Sequence, residues 1–476
     1  MINNIRKYWM IIASLVLVSA YSCKKDFPKN IESDDSVELF SLKIVNAGAA
    51  GNGVLEGVID EDKKIISFPR LDTLTDLKNL RFEATMSTGA KLEKETYELD
   101  FEQGASSKTI VIKVVNNKRF REYLAAIRLM VPVHGADFAK PKIYDYTNNS
   151  LGEPKYPTFT SLATRGTGFD GENVLIVTTH SMGSHILKLS DIRAGKTIPH
   201  NLNMTGVSGG HFPVSVGAQV NGHSYAASLS LSHTSPFKIY HWANPGDVPQ
   251  VIAQVNFADI PGVGNRHGDN MSANLDANGN GYFYFGDNAV SKILRLKVTN
   301  YTTVSEPTVL NNASGSSYTM TFGRVGNTSD YLYTGYDAPI RVANENAVIS
   351  YSMTNTAFSN RSADPKVVYF NQERYLLFTT CARAAGNPIK MYLYDITKGD
   401  NITEALKLLN EKSKSEIENP LFVYDLMGPN SATPSTQTGW HVTKGANGRD
   451  EMLTIYTASA DAGFVIFDFP KKTLID

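Results

Sequence analysis

DGENVLIVTT, residues 170–179, joins a turn of Asp, Gly and Asn to a run of aliphatic and β-branched residues. Six such residues are too few for a stable helix and suit a buried strand. The same grammar returns five times along the chain: NGHS then YAASLS, NGNG then YFYFG, GNTSD then YLYTG, NQER then YLLFTT, and NGRDE then MLTIYT. Each run is followed by a loop and a second strand of similar style, namely ILKLSDI, KIYHWAN, ILRLKVT, ISYSMTN, MYLYDIT and VIFDFPK. These second strands begin near residues 186, 238, 293, 349, 391 and 465, in steps running from 42 (349 to 391) to 74 (391 to 465). Units of that size cannot bury both faces alone and stack round an axis, so the spacing predicts a six-bladed β-propeller over 158–476.

The longest step has a local cause. DNITEALKLLNEKSKSEI, residues 400–417, places Ile402, Ala405, Leu406 and Leu409 at helical spacing, with Asn401 as cap and Glu404 three residues on. The last unit ends soon after VIFDFPK and lacks a fourth strand, which leaves an open sheet edge. KIYDYT, the one strand in the linker 133–157, is placed to fill it. Upstream, residues 36–132 alternate short strands with turns: VELFSLKIV, KKIISFPR, LRFEATMS, YELDF, KTIVIKVV and EYLAAIRLM. That rhythm predicts a small immunoglobulin-like β-sandwich, so the whole fold class is all-β.

The chain start carries an address. Arg6 and Lys7 precede an apolar run from Tyr8 to Ala20 that is too short to span a bilayer. Ala20-Tyr21-Ser22-Cys23 resembles the processing site of bacterial lipoproteins, so 1–22 read as a lipoprotein signal peptide, Cys23 as the acylated residue and 23–35 as a tether. A plain signal cut near Ala20 is the alternative. Several acyl chains on one thiol suffice to hold a domain at a membrane. With Cys23 lipidated, Cys381 has no partner and no disulfide is expected. Formal net charge is −1 with no basic block beyond Lys24 and Lys25, which excludes nucleic acid as a natural partner.

Candidate site residues come from a topological rule: in a propeller, loops leading into each first strand and loops joining second to third strands open on one face. Six of the ten histidines fall in loops assigned to that face: His180, His185, His211, His233, His267 and His441. Arg165, Arg266, Asp269, Asn270, Asp287, Asp337, Arg383 and Trp440 join them. Imidazole, guanidinium, carboxylate and one indole suit a hydroxyl-rich ligand such as a glycan, with His180, His211, Arg266, His267, Asp269, Asp337, Arg383, Trp440 and His441 as the binding set. No HxH or HExxH spacing supports a metal, and no cofactor is expected. A weak calcium pattern, Asp276, Asn278, Asn280 and Asp287, falls where Asn-Gly already serves a hairpin turn. There is no GxSxG elbow, no P-loop and no carboxylate pair of the kind glycosidases use, so no catalytic residue is assigned.

The tether CKKD, the pattern FSLKIVN, GVIDEDKKIISFP, TDLKNL, GAKLE, KTIVIKVV and REYLAAI, and the opening ATRGTGFDGENVLIV together resemble a family of Bacteroidetes surface lipoproteins. Two domains of unknown function describe it, number 5018 for the sandwich and number 4623 for the propeller-like region. The resemblance implies an outer-membrane lipid anchor, at the cell surface or the periplasmic face, and a link with glycan capture. It supplies no catalytic residues. The expected function is therefore non-catalytic ligand binding, with a propeller hydrolase or lyase and a protein-interaction scaffold as alternatives.

Overall fold

The computed structural model describes residues 35–102, 105–130, 133–311, 320–380, 389–431 and 435–473. Cys23, Cys381 and Arg383, with the expected leader and tether up to residue 34, lie outside the described residues. The chain is all-β and falls into two compact units, Met1–Pro132 and Val133–Asp476. Among the described residues no helix is long and apolar enough to cross a membrane.

In the first unit, period-2 patterning builds two sheets round one core. One sheet runs Gly53–Glu56, Leu39–Ala47, Leu80–Met86, Thr96–Tyr97; the other runs Val58–Asp60, Ile65–Ser67, Arg119–Arg128, Ser107–Asn116, Lys91–Leu92. Leu42 and Ile44, two apart on one strand, point the same way, as do Ile112 with Val114 and Tyr123 with Ala125 and Ile127. All seven are fully buried in a single apolar cluster with Phe68 and Phe82. The pairing of Ile65–Ser67 with Leu124–Ala126 is parallel, while the long hairpin Ser107–Asn116 with Arg119–Arg128 is antiparallel.

Among the described residues, the second unit contains six antiparallel sheets. Their first strands are Thr164–Phe169, Phe212–Val220, Ser272–Leu275, Thr321–Arg324, Ser362–Phe370 and Thr436–Lys444. Each first strand touches the first strand of the next sheet, and the sixth touches the first. Glycine makes the closest approach possible: a Cβ on Gly166 would lie 2.6 Å from Val216 Cα, and one on Gly168 would run into the Gln219 backbone nitrogen. Polar side chains then stitch neighbouring sheets. Asp170 accepts from Gln219 Nε2 (3.2 Å) and Gly222 N (2.8 Å), Ser272 Oγ accepts from Phe322 N (2.9 Å), and Thr334 Oγ1 donates to Ser362 O (3.0 Å). Asn221 Nδ2 donates to Asp276 O at 3.0 Å, Asp364 Oδ2 accepts from Thr438 N at 2.8 Å, and Gln437 Oε1 accepts from Thr167 Oγ1 at 2.7 Å.

The sixth sheet mixes the two ends of the unit. Lys142–Thr147 pairs antiparallel with Gly463–Pro470, with Tyr144 opposite Ile466. The fourth sheet departs from the sequence reading. Ile349–Ser352 is its outermost strand, and the strand beside Tyr331–Thr334 is the short Arg341–Ala343, which carries too few apolar residues to stand out. The helical insertion is also two pieces. Ile402–Asn410 is capped by Asn401 Oδ1 accepting from Glu404 N (3.0 Å), and Ser413 opens Lys414–Ile417 with its own capping box to Glu416. Ile402, Ala405, Leu406 and Leu409 are buried on the cluster that holds Phe378 and Tyr394.

Candidate functional site

Two ends can be distinguished by connectivity: a loop end, where the chain comes into each first strand, and a hairpin end, where first and second strands are joined. Near the loop end, three first strands slip register, between Thr164 and Gly166, Phe212 and Val216, and Ala363 and Lys366. Bulges re-aim side chains and cluster beside functional sites. The residues displaced here are Arg165, Pro213 to Ser215, and Asp364 with Pro365.

Arg165 sits in a compact charged cluster. Its Nη2 lies 2.5 Å from Asp269 Oδ1, and its guanidinium lies over the Phe212 ring at 5.6 Å. Arg266 grips the same carboxylate side-on, Nε to Oδ2 at 2.6 Å and Nη2 to Oδ1 at 3.1 Å, and Asn288 Nδ2 donates to Oδ2 at 2.5 Å. Burial alone would push the Asp269 carboxyl up, but the hydrogen bonds and charge of Arg266 and Arg165 outweigh it and hold the group below the usual carboxylate range.

Next to this cluster the first strands line an open cavity of about 200 Å³. Thr167, Gln219, Asp364, Lys366, Gln437 and Trp440 are among its walls, contributed by the first, second, fifth and sixth sheets. Asp364 has φ +45°, a left-handed backbone that asparagine, aspartate and glycine tolerate best. Its strain is held by Lys366 Nζ at 2.8 Å from Oδ1, Thr438 N on Oδ2 at 2.8 Å, Thr438 Oγ1 on the backbone O at 2.5 Å and on Oδ2 at 3.3 Å, and Thr321 Oγ1 accepting from its N–H at 3.1 Å. A strained, over-determined residue on a cavity wall marks a candidate site. Chemically the wall offers an amide pair, hydroxyls, one ammonium, one carboxylate and an indole.

The expected binding set divides. Arg266, His267 and Asp269 share one loop, but His267 is fully buried against Phe257 (4.2 Å between ring centres), so it cannot meet a ligand. Its Nε2 is 3.3 Å from Asp287 Oδ2 and off the line of a hydrogen bond. His211 is exposed at the same end, edge-on to Phe212. His180 instead caps its own loop, its Nδ1 accepting from Met182 N at 3.2 Å. Asp337 is exposed and pairs with Arg361 at 3.0 Å, with no bond to the Asp269 cluster. Trp440 and His441 are corrected: they belong to the strand Thr436–Lys444, opposite Ile455 and Thr454, and not to a loop. His441 lies toward the hairpin end, against Gly171 of the first turn, while Trp440 is among the residues lining the cavity and packs on the apolar cluster of Val368 and Leu453, 6.5 Å from the Tyr369 ring. The stretch TQTGWHVTK lacks the apolar alternation by which strands are found.

The calcium pattern is also dismantled. Asp276 accepts from Asn278 N and Asn280 N, both at 2.9 Å, inside its turn. Asp287 lies beyond the strand Gly281–Gly286, roughly 20 Å of extended chain away. There it accepts from Gly264 N (2.5 Å) and Ala289 N (2.9 Å). No group of three or more His, Cys, Asp or Glu among the described residues could hold a metal ion. Asp364, Lys366, Gln219 and Gln437 were missed by sequence reasoning; the available signal was Asp-Pro inside SADPKVVYF, a break in an otherwise β-forming run.

Comparison with known proteins adds a family and no activity. A crystal structure of a DUF4623 family protein from Bacteroides eggerthii DSM 20697 is 40% identical, covering 92% of this chain and 99% of that one, with a TM-score of 0.68. BamB from Moraxella catarrhalis (10% identity, 66% and 84% covered, TM-score 0.32) and an endo-arabinase from Bacteroides thetaiotaomicron VPI-5482 (13%, 67% and 97%, 0.31) are distant propeller-like neighbours. None of the curated proteins matches. One family described as a domain of unknown function, DUF4623, matches residues 25–472 across both units, and the chain belongs to that family.

Proposed function

We propose that the chain is a lipid-anchored envelope protein that binds an extracellular glycan without catalysis. In this reading the six sheets form a six-bladed β-propeller, the first unit is an immunoglobulin-like sandwich of the DUF5018 type, and Cys23 carries the lipid. The observation that supports it most is the character of the cavity: about 200 Å³, walled by Trp440, Thr167, Gln219, Gln437, Asp364 and Lys366. That size is below the roughly 300–1,000 Å³ of sites that engulf a drug-sized ligand, so it suits one sugar ring at a chain end. An indole face supplies apolar stacking, and amides, hydroxyls and charges supply directed hydrogen bonds to ring hydroxyls.

The test is affinity electrophoresis of residues 24–476 through gels containing a panel of polysaccharides. Retardation on at least one glycan is expected, and Trp440→Ala should abolish it while leaving the circular dichroism spectrum intact. Migration unaffected by every glycan would rule the reading out. The anchor has its own measurement: the full chain should partition into a detergent phase, and Cys23→Ala should return it to the aqueous phase. Equal partitioning of the two would remove the lipid from the account.

A further inference from the structure

We propose that Asp364 and Lys366 read two neighbouring hydroxyls of the ligand, so that the cavity takes an uncharged sugar presenting a vicinal diol. The inference rests on the cavity reading above and names the class of its ligand. Its origin is the stretch SADPKVVYF, where the register slips between Ala363 and Lys366. Proline at the slip has no N–H to leave unpaired, so the extra residue strands no donor there. Asp364 and Lys366 both line the cavity, and the carbonyl of Pro365 between them lies against Gly323 of the fourth sheet. Neighbouring sheets fix Asp364 from two sides: Thr321 Oγ1 of the fourth accepts from its N–H at 3.1 Å, and Thr438 N of the sixth donates to Oδ2 at 2.8 Å.

The hydrogen-bonding capacity left on this wall is specific. Oδ2 of Asp364 is taken by Thr438, through N at 2.8 Å and Oγ1 at 3.3 Å. Among the described residues Oδ1 accepts only from Lys366 Nζ, at 2.8 Å, and keeps a second lone pair. The ammonium uses one proton on that bond and keeps the others. Gln437 Oε1 accepts from both N and Oγ1 of Thr167, which holds the amide one way round, with Nε2 donating to Gly217 O at 3.0 Å and a proton to spare. The wall therefore offers protons at Lys366 and Gln437, and a carboxylate acceptor at Asp364 directly beside the first.

A donor and an acceptor 2.8 Å apart complement hydroxyls on adjacent ring carbons: one donates to Asp364 Oδ1 while its neighbour accepts from Lys366 Nζ. Charge selects against an acid. Among the described residues lining the cavity, Lys366 is the only cation and Asp364 the only anion, and their side chains are just 23% and 9% exposed. The two cancel, so an entering carboxylate would lose its water and meet Asp364 with no spare cation on the wall. Hydroxyls carry no such penalty, and their hydrogen bonds to charged groups are stronger than neutral ones. A sugar lacking either hydroxyl would leave Asp364 or Lys366 unmatched, the kind of loss that rejects an analogue most strongly.

Periodate, which cleaves the carbon–carbon bond of a vicinal diol and spares isolated hydroxyls, tests this without altering the protein. Residues 24–476 are run through affinity gels holding the polysaccharide panel, with neutral 1,4-linked galactan and xylan and acidic polygalacturonate included, each polymer before and after periodate oxidation and borohydride reduction. Retardation is expected on a neutral polymer, weaker on polygalacturonate, and lost once the neutral polymer is oxidised. Lys366→Met, close in volume, and Asp364→Asn, which tolerates the same left-handed backbone, should each weaken apparent affinity for that neutral polymer at least about tenfold. Urea midpoints show whether each variant is folded, and one that is not leaves the decision to the periodate comparison. If the oxidised polymer retards the chain as well as the intact one, if polygalacturonate is the better ligand, or if a folded variant binds as the native chain does, the diol inference falls and the cavity reading stands. If no polymer retards the chain, both fall.

Discussion

The two units solve the problem of joining sheets in different ways. In the first, two sheets are held across a dry interior where Leu42, Ile44, Phe82, Ile112 and Tyr123 interlock. In the second, six sheets meet along first strands that leave polar side chains facing one another, so the joints are hydrogen bonds donated by Asn221 and accepted by Gln437, Asp364 and Asp170 as well as apolar contact. Burial of aliphatic area is tolerant of small rearrangements, while a buried hydrogen bond is lost outright when one partner goes. The second unit is therefore the one in which single polar residues and single glycines decide whether neighbours fit. It is also the unit with chemistry to offer, because a wall of hydroxyls and amides is what a polar ligand can use.

Substitutions can break that contrast, and the largest effect is expected at Gly168. A valine there would drive its Cβ into the Gln219 backbone, which cannot step aside without parting the first and second sheets. A loss of at least about 3 kcal/mol is expected in the unfolding transition of the second unit. Urea unfolding followed by separate probes for each unit measures it; an unshifted midpoint would show that the sheets are less tightly fitted than described. Gln437→Ala is milder. It removes the bonds to Thr167 and to Gly217 O (3.0 Å) and leaves buried partners unpaired, for an expected loss of about 1–3 kcal/mol. A cost under about 0.5 kcal/mol would mean that water replaces the amide without penalty.

The smallest effect appears only in acid, and it separates the units cleanly. All ten histidines lie after residue 132. His223 Nδ1 and His241 Nε2 are 2.8 Å apart, and His223 stacks on Tyr301 at 3.9 Å. Burial, with the neighbouring imidazole, depresses His241 to about 4, and burial lowers His223. An unfolded histidine titrates near 6.5, so between about 6.5 and 4 the unfolded chain binds more protons than the folded one. Stability from this pair is thus complete above about pH 6.5 and declines as pH falls toward 4. His241→Phe should flatten that part of the second unit's stability profile, and the first unit's profile should not change. An identical acid slope before and after substitution would exclude the pair as its source.

What could be read from sequence followed the physics of each strand's surroundings. VLIVTT and YLLFTT announce themselves because both faces are buried. The first strands hid: TRGTGF in Thr164–Phe169 is two-thirds glycine and threonine, since it trades apolar side chains for close backbone approach and a polar wall. That is why Thr167, Asp364, Lys366 and Gln437 escaped notice and why Trp440 and His441 were placed in a loop. The loop position of Arg266 and Asp269 could be inferred from order along the chain, without any need to know the first strands. Histidine count misled in the opposite direction. Aromatic imidazoles such as His267, ring against ring with Phe257, serve the interior, and composition cannot tell them from ligands.

The pairing of Lys142–Thr147 with Gly463–Pro470 bears on how the protein is made. On the ribosome, Lys142–Thr147 leaves the tunnel well before Gly463–Pro470 and must wait for it. Until Gly463–Pro470 emerges, one edge of the sixth sheet stays bare and the second unit remains unfinished, so that edge needs shielding during synthesis and is exposed again whenever this late strand is lost.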